Sequence, residues 1–240
     1  MDTRWARWFG LAVALASGAA CADSLPLPAN LVDFNSPAGE RYLIEAGANA
    51  DYFPLASQFV TQKTQAYCGV ASLAMVLNAL GAKAPSAPEY EPYRYFTQDN
   101  VLNEETDAIL PREVLARQGT TLDQLVALVA YHGVVGEAHH ASDETLDAFR
   151  ETVRATLSAG DRYVIVNYLR MALGQQIGGH ISPLAAYDEK QDRFLIMDVA
   201  RYKYPPVWVS STDLYAAMNT PDVVNGGKSR GYVLVSKKTP

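Results

Sequence analysis

The sequence contains little cysteine and little histidine. Only Cys21 and Cys68 occur in 240 residues, together with four histidines. Two cysteines are too few for a disulfide-rich scaffold, and the histidines follow none of the spacings that structural zinc sites use. No run of lysine or arginine occurs, and the formal net charge is −6. These absences argue against a zinc-stabilised domain and predict no nucleic-acid partner.

The longest uncharged apolar run lies near the N-terminus. Two arginines precede the segment from Trp8 to Ala20, and small residues around Ala22 offer a cleavage site. The run is shorter than the ~20 residues that a membrane-spanning helix needs. Residues 1–22 are therefore predicted to be a signal peptide, and the protein is expected to be exported, to a periplasm. The alternative is a lipoprotein anchored through Cys21, which is less favoured because Gly18 replaces the usual aliphatic residue.

The remaining 218 residues (240 minus 22) fit one folded unit, and 49% apolar content is ample for a core. Residues 23–49 are predicted to be an irregular N-terminal lead, because Pro28, Pro37 and Gly39 interrupt them. Residues 50–240 are predicted to form the main domain. No internal repeat or low-complexity segment is found in the sequence.

Helical patterns precede strand patterns along the chain. Helices are predicted at 68–80, 111–118, 121–132, 142–159 behind Ser142, and 211–218. Strands rich in β-branched and aromatic residues are predicted at 163–168, 180–187, 193–199, 207–209 and 232–235. Helices followed by an antiparallel sheet predict an α+β fold.

Cys68 begins the strongest helical pattern in the sequence. Apolar residues at 70, 73, 74, 77 and 80 follow helical spacing, and Gly81 marks the end of the helix. Met75 and Val76 make the segment apolar nearly all round, which predicts a buried central helix. The helix N-terminus favours a thiolate and can lower a thiol pKa from ~8.5 to roughly 3.5–7.5. Cys68 is therefore a candidate nucleophile, and the alternative is an inert buried thiol.

A histidine and an aspartate lie close together in one predicted hairpin. With a turn near residues 189–190, His180 and Asp198 fall close to opposite each other, where Cβ atoms are about 4.5–5.5 Å apart. The carboxylate would then orient the imidazole, as the third member of a catalytic triad does. A register shift of one residue would place the two side chains on opposite faces. Histidines 132, 139 and 140 are expected to end a helix or to be solvated.

Gln62 is a candidate donor to an oxyanion. It precedes Cys68 by six residues, so its carboxamide and the Cys68 backbone N–H could together stabilise a negative oxygen at the helix start. Gln65 is the competing candidate.

Three blocks of the sequence resemble the phytochelatin synthase family, which belongs to the papain-like cysteine peptidase superfamily. Gln62 with the segment 66–78 is similar to the family's nucleophile block. Segments 179–183 and 198–209 are similar to its histidine and aspartate blocks, and the second of these is long and unusual. The resemblance covers roughly residues 50–236. It implies a papain-like fold with a helical first lobe and an antiparallel-sheet second lobe, and it makes residues 50–240 the catalytic domain.

The resemblance implies γ-glutamylcysteine dipeptidyl transfer from glutathione. The Cys68 thiolate would attack the Cys–Gly amide, release glycine and leave a γ-Glu-Cys acyl-enzyme. His180 would protonate the leaving amine and later activate water or a second glutathione. By the same resemblance, Arg230 would meet the γ-glutamyl carboxylate, with Gly178 and Gly179 against the acyl group.

Two further residues, Arg201 and Thr61, match positions that the family links to the second substrate. The family's cysteine-rich C-terminal region is missing from this sequence, which resembles the short bacterial members. Hydrolysis of glutathione is therefore expected to exceed phytochelatin synthesis. No cofactor or metal site is expected, and a heavy-metal ion enters only as a thiolate-bound substrate, in metal detoxification. The chain is also compatible with a homodimer.

Two other functions are consistent with parts of the sequence. A general or leader-cleaving papain-like peptidase would share the glutamine and cysteine spacing, but the 198–209 segment gives no support to it. An exported thiol- or metal-binding protein is the non-enzymatic alternative, and the sequence offers no metal-ligand spacing for it.

Overall fold

The structure has one antiparallel sheet with helices on both faces. A computed structural model describes residues 24–238, so the predicted signal peptide lies outside the described residues. The strands are β1 (Val32–Asp33), β2 (Val135–His140), β3 (Arg162–Leu169), β4 (Gly179–Asp188), β5 (Arg193–Ile196), β6 (Val207–Ser210) and β7 (Gly231–Ser236). The α-helices are α1 (Pro37–Glu45), α2 (Tyr52–Ala56), α3 (Cys68–Ala79), α4 (Arg112–Gln118), α5 (Leu122–Tyr131), α6 (Leu146–Ala159) and α7 (Ser211–Met218).

The strand order across the sheet is β1-β6-β5-β4-β3-β7-β2, and every neighbouring pair is antiparallel. Helices α3 and α5 pack on one face, against side chains such as Ile165 and Val233. Helices α6 and α7 pack on the other face, against Val164 and Leu234. Successive strand residues thus serve two separate cores, as the alternation of side chains requires. The predicted α+β class is confirmed.

The prediction that the N-terminal lead is irregular is wrong over α1. The Ser36 hydroxyl accepts a hydrogen bond from the Gly39 N–H, and Pro37 occupies the first turn. Proline is favourable there, because the missing N–H would have no helical partner. Strand β1 pairs with β6, and Trp208 Nε1 donates to the Gly39 carbonyl over 3.0 Å. Residues before 50 therefore complete the sheet.

One predicted helix start differs from the structure, and one strand was missed. Helix α6 begins at Leu146 with Thr145 as its N-cap, because Ser142 donates its backbone N–H to Ser229 instead of capping the helix. Strand β2 was not predicted, since its polar residues carry no apolar alternation. It forms by pairing along its whole length with β7.

None of the helices within residues 24–238 combines the length and the apolarity that crossing a bilayer requires.

Candidate active site

Cys68 is the first residue of α3, the central helix of the first core. Each residue from Cys68 to Leu77 is buried, which confirms the predicted buried helix. The Ser72 hydroxyl lies within hydrogen-bond distance of two carbonyls, Cys68 O at 2.8 Å and Ile181 O at 3.2 Å. This contact fixes the start of α3 against β4. The thiol is therefore held at a helix N-terminus, where backbone N–H groups and the helix dipole favour its anion.

His180 lies at the start of β4, between the thiol and a carboxylate. Its Nε2 is 2.8 Å from Asp198 Oδ1, and its ring is close enough to Cys68 to lower the pKa of the thiol. Tyr168, the cross-strand neighbour of His180, packs edge-on against the imidazole at 5.6 Å between ring centroids. Because Nε2 faces the carboxylate, Nδ1 is the nitrogen left to face the sulfur. The structure thus brings together the three side chains predicted as a triad.

The hairpin that carries His180 and Asp198 contains a bulge at Ala185. Past the bulge, the pairing places Asp198 opposite Ser182 and not, as predicted, opposite His180. Residues 180 and 182 share one face of β4, so the two side chains still meet diagonally. Without the bulge, Asp198 would fall opposite Pro183 and face the other way. The bulge is therefore what aligns this carboxylate with the imidazole.

Arg170 is a site residue that the sequence did not identify. Its Nη2 donates to both Asp198 oxygens, over 2.9 and 2.8 Å, and its Nη1 donates to Gln175 over 2.6 Å. Its guanidinium lies over the Tyr204 ring at 5.2 Å. Both charged side chains are almost fully buried, which makes this ion pair costly to break. One arginine after a strand carries no distinctive sequence signal.

Ser182 also contacts the imidazole and was missed. Its Oγ lies 2.9 Å from His180 Nε2 and accepts the Val199 N–H over 3.3 Å. The position of a serine two residues after His180, on the same strand face, was the available signal. Ser182 restrains the ring on the side that faces Asp198.

Burial and neighbouring charges set the direction of the pKa shifts of Asp198, His180 and Cys68. Burial raises the pKa of Asp198, but His180 and Arg170 outweigh burial and lower it to about 2. Burial and the charge of Arg170 lower the pKa of His180, but the charge and hydrogen bonding of Asp198, together with Cys68, outweigh them and raise it. Burial raises the pKa of Cys68, while the hydrogen bond and charge of His180 bring the net value below that of an ordinary thiol. The arrangement therefore favours a thiolate–imidazolium pair.

Gln62 is buried beside the turn that leads into α3. Its Nε2 donates to the Thr64 carbonyl over 2.7 Å and to the Tyr202 hydroxyl over 3.0 Å. Its Oε1 has no hydrogen-bond partner within the described chain. The competing candidate Gln65 is exposed at the rim of the cleft described next. The predicted oxyanion role of Gln62 remains a prediction, because both amide protons are already engaged.

A cleft of about 390 Å³ opens at Cys68 and His180. Gly178, Gly179 and Arg230 line it, so the structure groups these predicted binding residues with the thiol. The remaining two predicted binding residues do not line this cleft. Arg201 is exposed and lies over the Phe59 ring at 4.7 Å, and the exposed Thr61 accepts a hydrogen bond from Gln98 through its carbonyl.

The cleft is also lined by buried charges of both signs. Asp222 accepts a hydrogen bond from Asn167 Nδ2 over 3.4 Å, and its Oδ1 lies 3.7 Å from Arg230 Nη2. Arg230 Nη1 donates to the Thr220 hydroxyl and the Pro221 carbonyl, while its buried Nε has no partner in the described part of the chain. Asp222 and Asn167 were not predicted: Asp222 lies in the loop between α7 and β7, Asn167 lies within β3, and no motif marks either position.

The described residues contain no group of three or more His, Cys, Asp or Glu side chains that could hold a metal ion.

The α+β fold carries a buried cysteine at the start of its central helix, next to a histidine of β4 and an aspartate just after β5. This arrangement is that of the papain-like cysteine peptidase superfamily. Within it, the chain belongs to the phytochelatin synthase family, whose family model matches residues 22–232. The family predicted from the sequence is thereby confirmed.

Curated proteins give the same result. The chain is 40% identical over 216 residues to glutathione gamma-glutamylcysteinyltransferase 3 of Lotus japonicus, covering 89% of this chain and 43% of that protein. It is 38% identical to glutathione gamma-glutamylcysteinyltransferase 1 of Arabidopsis thaliana, covering 89% and 43%. It is 31% identical to the glutathione gamma-glutamylcysteinyltransferase of Schizosaccharomyces pombe, covering 87% and 50%. The chain thus spans about half the length of the curated relatives it matches.

Proposed function

We propose that this protein is a cysteine-dependent γ-glutamylcysteine dipeptidyltransferase and hydrolase that acts on glutathione. The observation that carries the proposal is the cleft that joins the Cys68 thiol to the buried, oppositely charged Asp222 and Arg230. The names of the relatives support the same substrate.

The charges of the cleft fit a γ-glutamyl head group. A glutamate linked through its γ-carbonyl keeps a free α-ammonium and a free α-carboxylate on one carbon. Asp222 would accept hydrogen bonds from the ammonium, and the unpaired Nε of Arg230 would donate to the carboxylate. An ordinary peptide has an amide at this place and offers neither charge. The cleft therefore favours a γ-glutamyl substrate over the general or leader-cleaving peptidase function.

Catalysis would begin with attack of the Cys68 thiolate on the carbonyl carbon of the Cys–Gly amide. As the tetrahedral intermediate collapses, the C–N bond breaks, the imidazolium of His180 gives its proton to the leaving nitrogen, and glycine departs. The γ-Glu-Cys acyl group remains on sulfur as a thioester. His180 then takes a proton from water or a second glutathione, which attacks the thioester and restores the thiolate. Asp198 stabilises the imidazole in each step in which it carries a positive charge and orients it while it is neutral in the acyl-enzyme.

Water is proposed as the main acceptor, so hydrolysis exceeds transfer. The cleft supports this part of the proposal because its rim residues Gln65, Gln118 and Val223 are exposed, which leaves the thioester accessible to solvent. Water is far more concentrated than any thiol acceptor. Mass spectrometry after incubation with glutathione gives the ratio of γ-Glu-Cys to longer γ-glutamyl products.

The test compares glutathione with its α-glutamyl isomer, which has the same atoms but a differently linked head group. Glycine release from glutathione is expected to be faster by about two orders of magnitude or more, because the isomer carries its ammonium and its carboxylate on different carbons and cannot place both against Asp222 and Arg230. Asp222→Asn and Arg230→Gln should each reduce this discrimination, and Cys68→Ala should release no glycine. Equal rates on the two isomers would contradict the substrate assignment.

Two further parts of the proposal concern metal and location. Glycine release is expected to persist after metal chelation, since the nucleophile needs no metal, and heavy-metal ions would enter as glutathione thiolates.

Export is proposed with cleavage after Ala22, and the mass of the mature chain distinguishes this from a lipid-modified Cys21. A cytosolic chain that keeps residues 1–22 would contradict export.

A further inference from the structure

The two buried charges of the cleft, Asp222 and Arg230, come from one short hairpin, residues 220–230, between α7 and β7. Backbone hydrogen bonds join its two sides. The Arg230 N–H donates to the Thr220 carbonyl over 2.9 Å, and the Asp222 N–H donates to the Lys228 carbonyl over 2.7 Å. The position of this hairpin therefore determines where both charged side chains lie in the cleft.

The tip of the 220–230 hairpin is largely exposed. Val223 is 87% exposed, and a Cβ placed on Gly226 or Gly227 would meet no atom within 4 Å. Both glycines have a positive φ, 66° and 80°, which a glycine adopts without steric cost. The tip therefore does little to fix the hairpin, whose position depends on the contacts at its base.

The end of β2 holds the base of the hairpin. His140, the last residue of β2, directs Nδ1 at the Ser229 carbonyl over 2.6 Å, so this nitrogen donates a proton. The next two residues donate their backbone N–H groups, Ala141 to the Arg230 carbonyl over 2.9 Å and Ser142 to Ser229 Oγ over 3.0 Å. Of these three contacts, only the first is made by a side chain, so only that one can be removed by substitution.

Asp123, in the first turn of α5, lies between the imidazole and the hairpin. Its Oδ2 accepts a hydrogen bond from Lys228 Nζ over 2.7 Å, and its Oδ1 lies 3.5 Å from His140 Nε2. The His140 side chain is only 14% exposed, whereas Lys228 is 55% exposed. Because exposed ion pairs contribute little, the contact of His140 with Ser229 is the stronger attachment and the contact of Asp123 with Lys228 the weaker.

We propose that His140 and Asp123 are positioning residues for the γ-glutamyl head group of the substrate. The inference rests on the proposed function, in which Asp222 binds the ammonium and Arg230 binds the carboxylate. Neither His140 nor Asp123 lines the cleft, so both act through the 220–230 hairpin. When an attachment at the base is lost, the hairpin no longer holds the two charges in the place where the head group meets them.

The experiment measures steady-state glycine release from glutathione by His140→Phe in the full chain. The phenyl ring keeps the approximate shape of the side chain and removes both nitrogen donors. KM is expected to rise about threefold to tenfold with little change in kcat, because contacts with the head group are weakened equally in the ground state and the transition state. Alkylation of Cys68 by iodoacetamide should keep its wild-type rate. The matched control is His139→Phe, which keeps the stacking on Tyr232 and should leave KM unchanged.

Asp123→Asn tests the same attachment from α5, at a partly exposed position outside the core. It should raise KM by a smaller factor, about twofold, because the imidazole keeps its hydrogen bond to Ser229. Both variants should also lower the preference for glutathione over its α-glutamyl isomer by the factor by which KM rises. The isomer cannot place its charges against both Asp222 and Arg230, so it gains less from a well-placed hairpin.

A combined variant shows whether His140 acts through the two charges. Added to Asp222→Asn and Arg230→Gln, the His140→Phe change should raise KM little further, because no charges remain for the hairpin to place. An unchanged KM in His140→Phe or in Asp123→Asn overturns the inference, as does an equal loss on both isomers or a slower alkylation of Cys68. A wild-type chain that releases no glycine overturns the proposed function and this inference with it. A wild type that prefers glutathione, with His140→Phe unaffected, overturns the inference alone.

Discussion

At the scale of single residues, Cys68 and His180 determine each other's charge. The imidazole lowers the pKa of the buried thiol, and the Asp198 carboxylate raises the pKa of the imidazole. Arg170 works against the second effect, because its charge lowers the pKa of His180 while it holds Asp198 ionised. The reactive pair therefore exists only between the lowered thiol pKa and the raised imidazole pKa.

This pairing predicts the pH dependence of Cys68 alkylation by iodoacetamide. In the wild type the rate should rise at a pH below the ~8.5 typical of a free thiol. In His180→Gln the rise should move to a higher pH than in the wild type, because burial continues to raise the thiol pKa while the opposing contact with the imidazole is lost. His139→Gln serves as the control, since His139 stacks on Tyr232 and does not line the cleft. Identical profiles for wild type and His180→Gln would contradict the ion pair.

The glycine-release rate should fall on both sides of its optimum. Below the lowered pKa of Cys68 the thiol is protonated, and above the raised pKa of His180 the proton donor is lost.

At the scale of secondary structure elements, patterns within one segment were predictable and patterns set by a partner strand were not. The α3 helix follows from its own apolar spacing. Strand β2 depends on pairing with β7, and the position of Asp198 depends on a bulge at Ala185. Neither leaves a mark in the local sequence, because both are decided by hydrogen bonds to distant residues.

Helix α2 begins next to Asp51, a buried carboxyl group. Both of its oxygens lack hydrogen-bond partners within the described residues. Burial, with a smaller contribution from Asp161, raises its pKa to about 8. The folded state therefore holds this proton more tightly than the unfolded state, in which the pKa is about 3.9. Folding is favoured by this group at low pH, and the advantage is lost as the pH rises toward about 8.

We predict that Asp51→Asn makes the free energy of unfolding less dependent on pH between about 4 and 8. The wild type should lose up to about 1.4 kcal/mol per pH unit through this group. Urea denaturation at several pH values measures the slope, and Asp143→Asn, at an exposed position before α6, is the control. Parallel slopes for wild type and Asp51→Asn would show that Asp51 is not buried as a carboxylic acid.

At the scale of the whole molecule, residues 24–49 belong to the same sheet as the site. Strand β1 covers the edge of β6, and Tyr42 packs edge-on against Trp208 at 5.8 Å between ring centroids. Trp208 is fully buried and donates its indole N–H to Gly39. We propose that the catalytic unit begins before residue 50, since these contacts complete its core.

Truncation tests that boundary. A chain that starts at residue 24 should keep its stability, whereas a chain that starts at residue 50 exposes Trp208 and the edge of β6. The melting temperature of the shorter chain should fall by roughly 10 °C or more, at about 2–4 °C per kcal/mol for a domain of this size. Circular dichroism measures the transition, and tryptophan fluorescence reports exposure of the indole. Equal melting temperatures would support the boundary at residue 50.

The sequence alone predicted the family, the α+β class and the buried central helix, which are confirmed, and it selected Cys68, His180 and Asp198, whose catalytic roles stay predictions. Each of these follows from spacing within one segment, or from motifs that lie in short blocks. Tertiary structure decided the pairing of Arg170 with Asp198, the meeting of Asp222 and Arg230, and the contact of Tyr202 with Gln62. These contacts join residues from different segments, and no local pattern reports which distant side chains the packed sheet brings together.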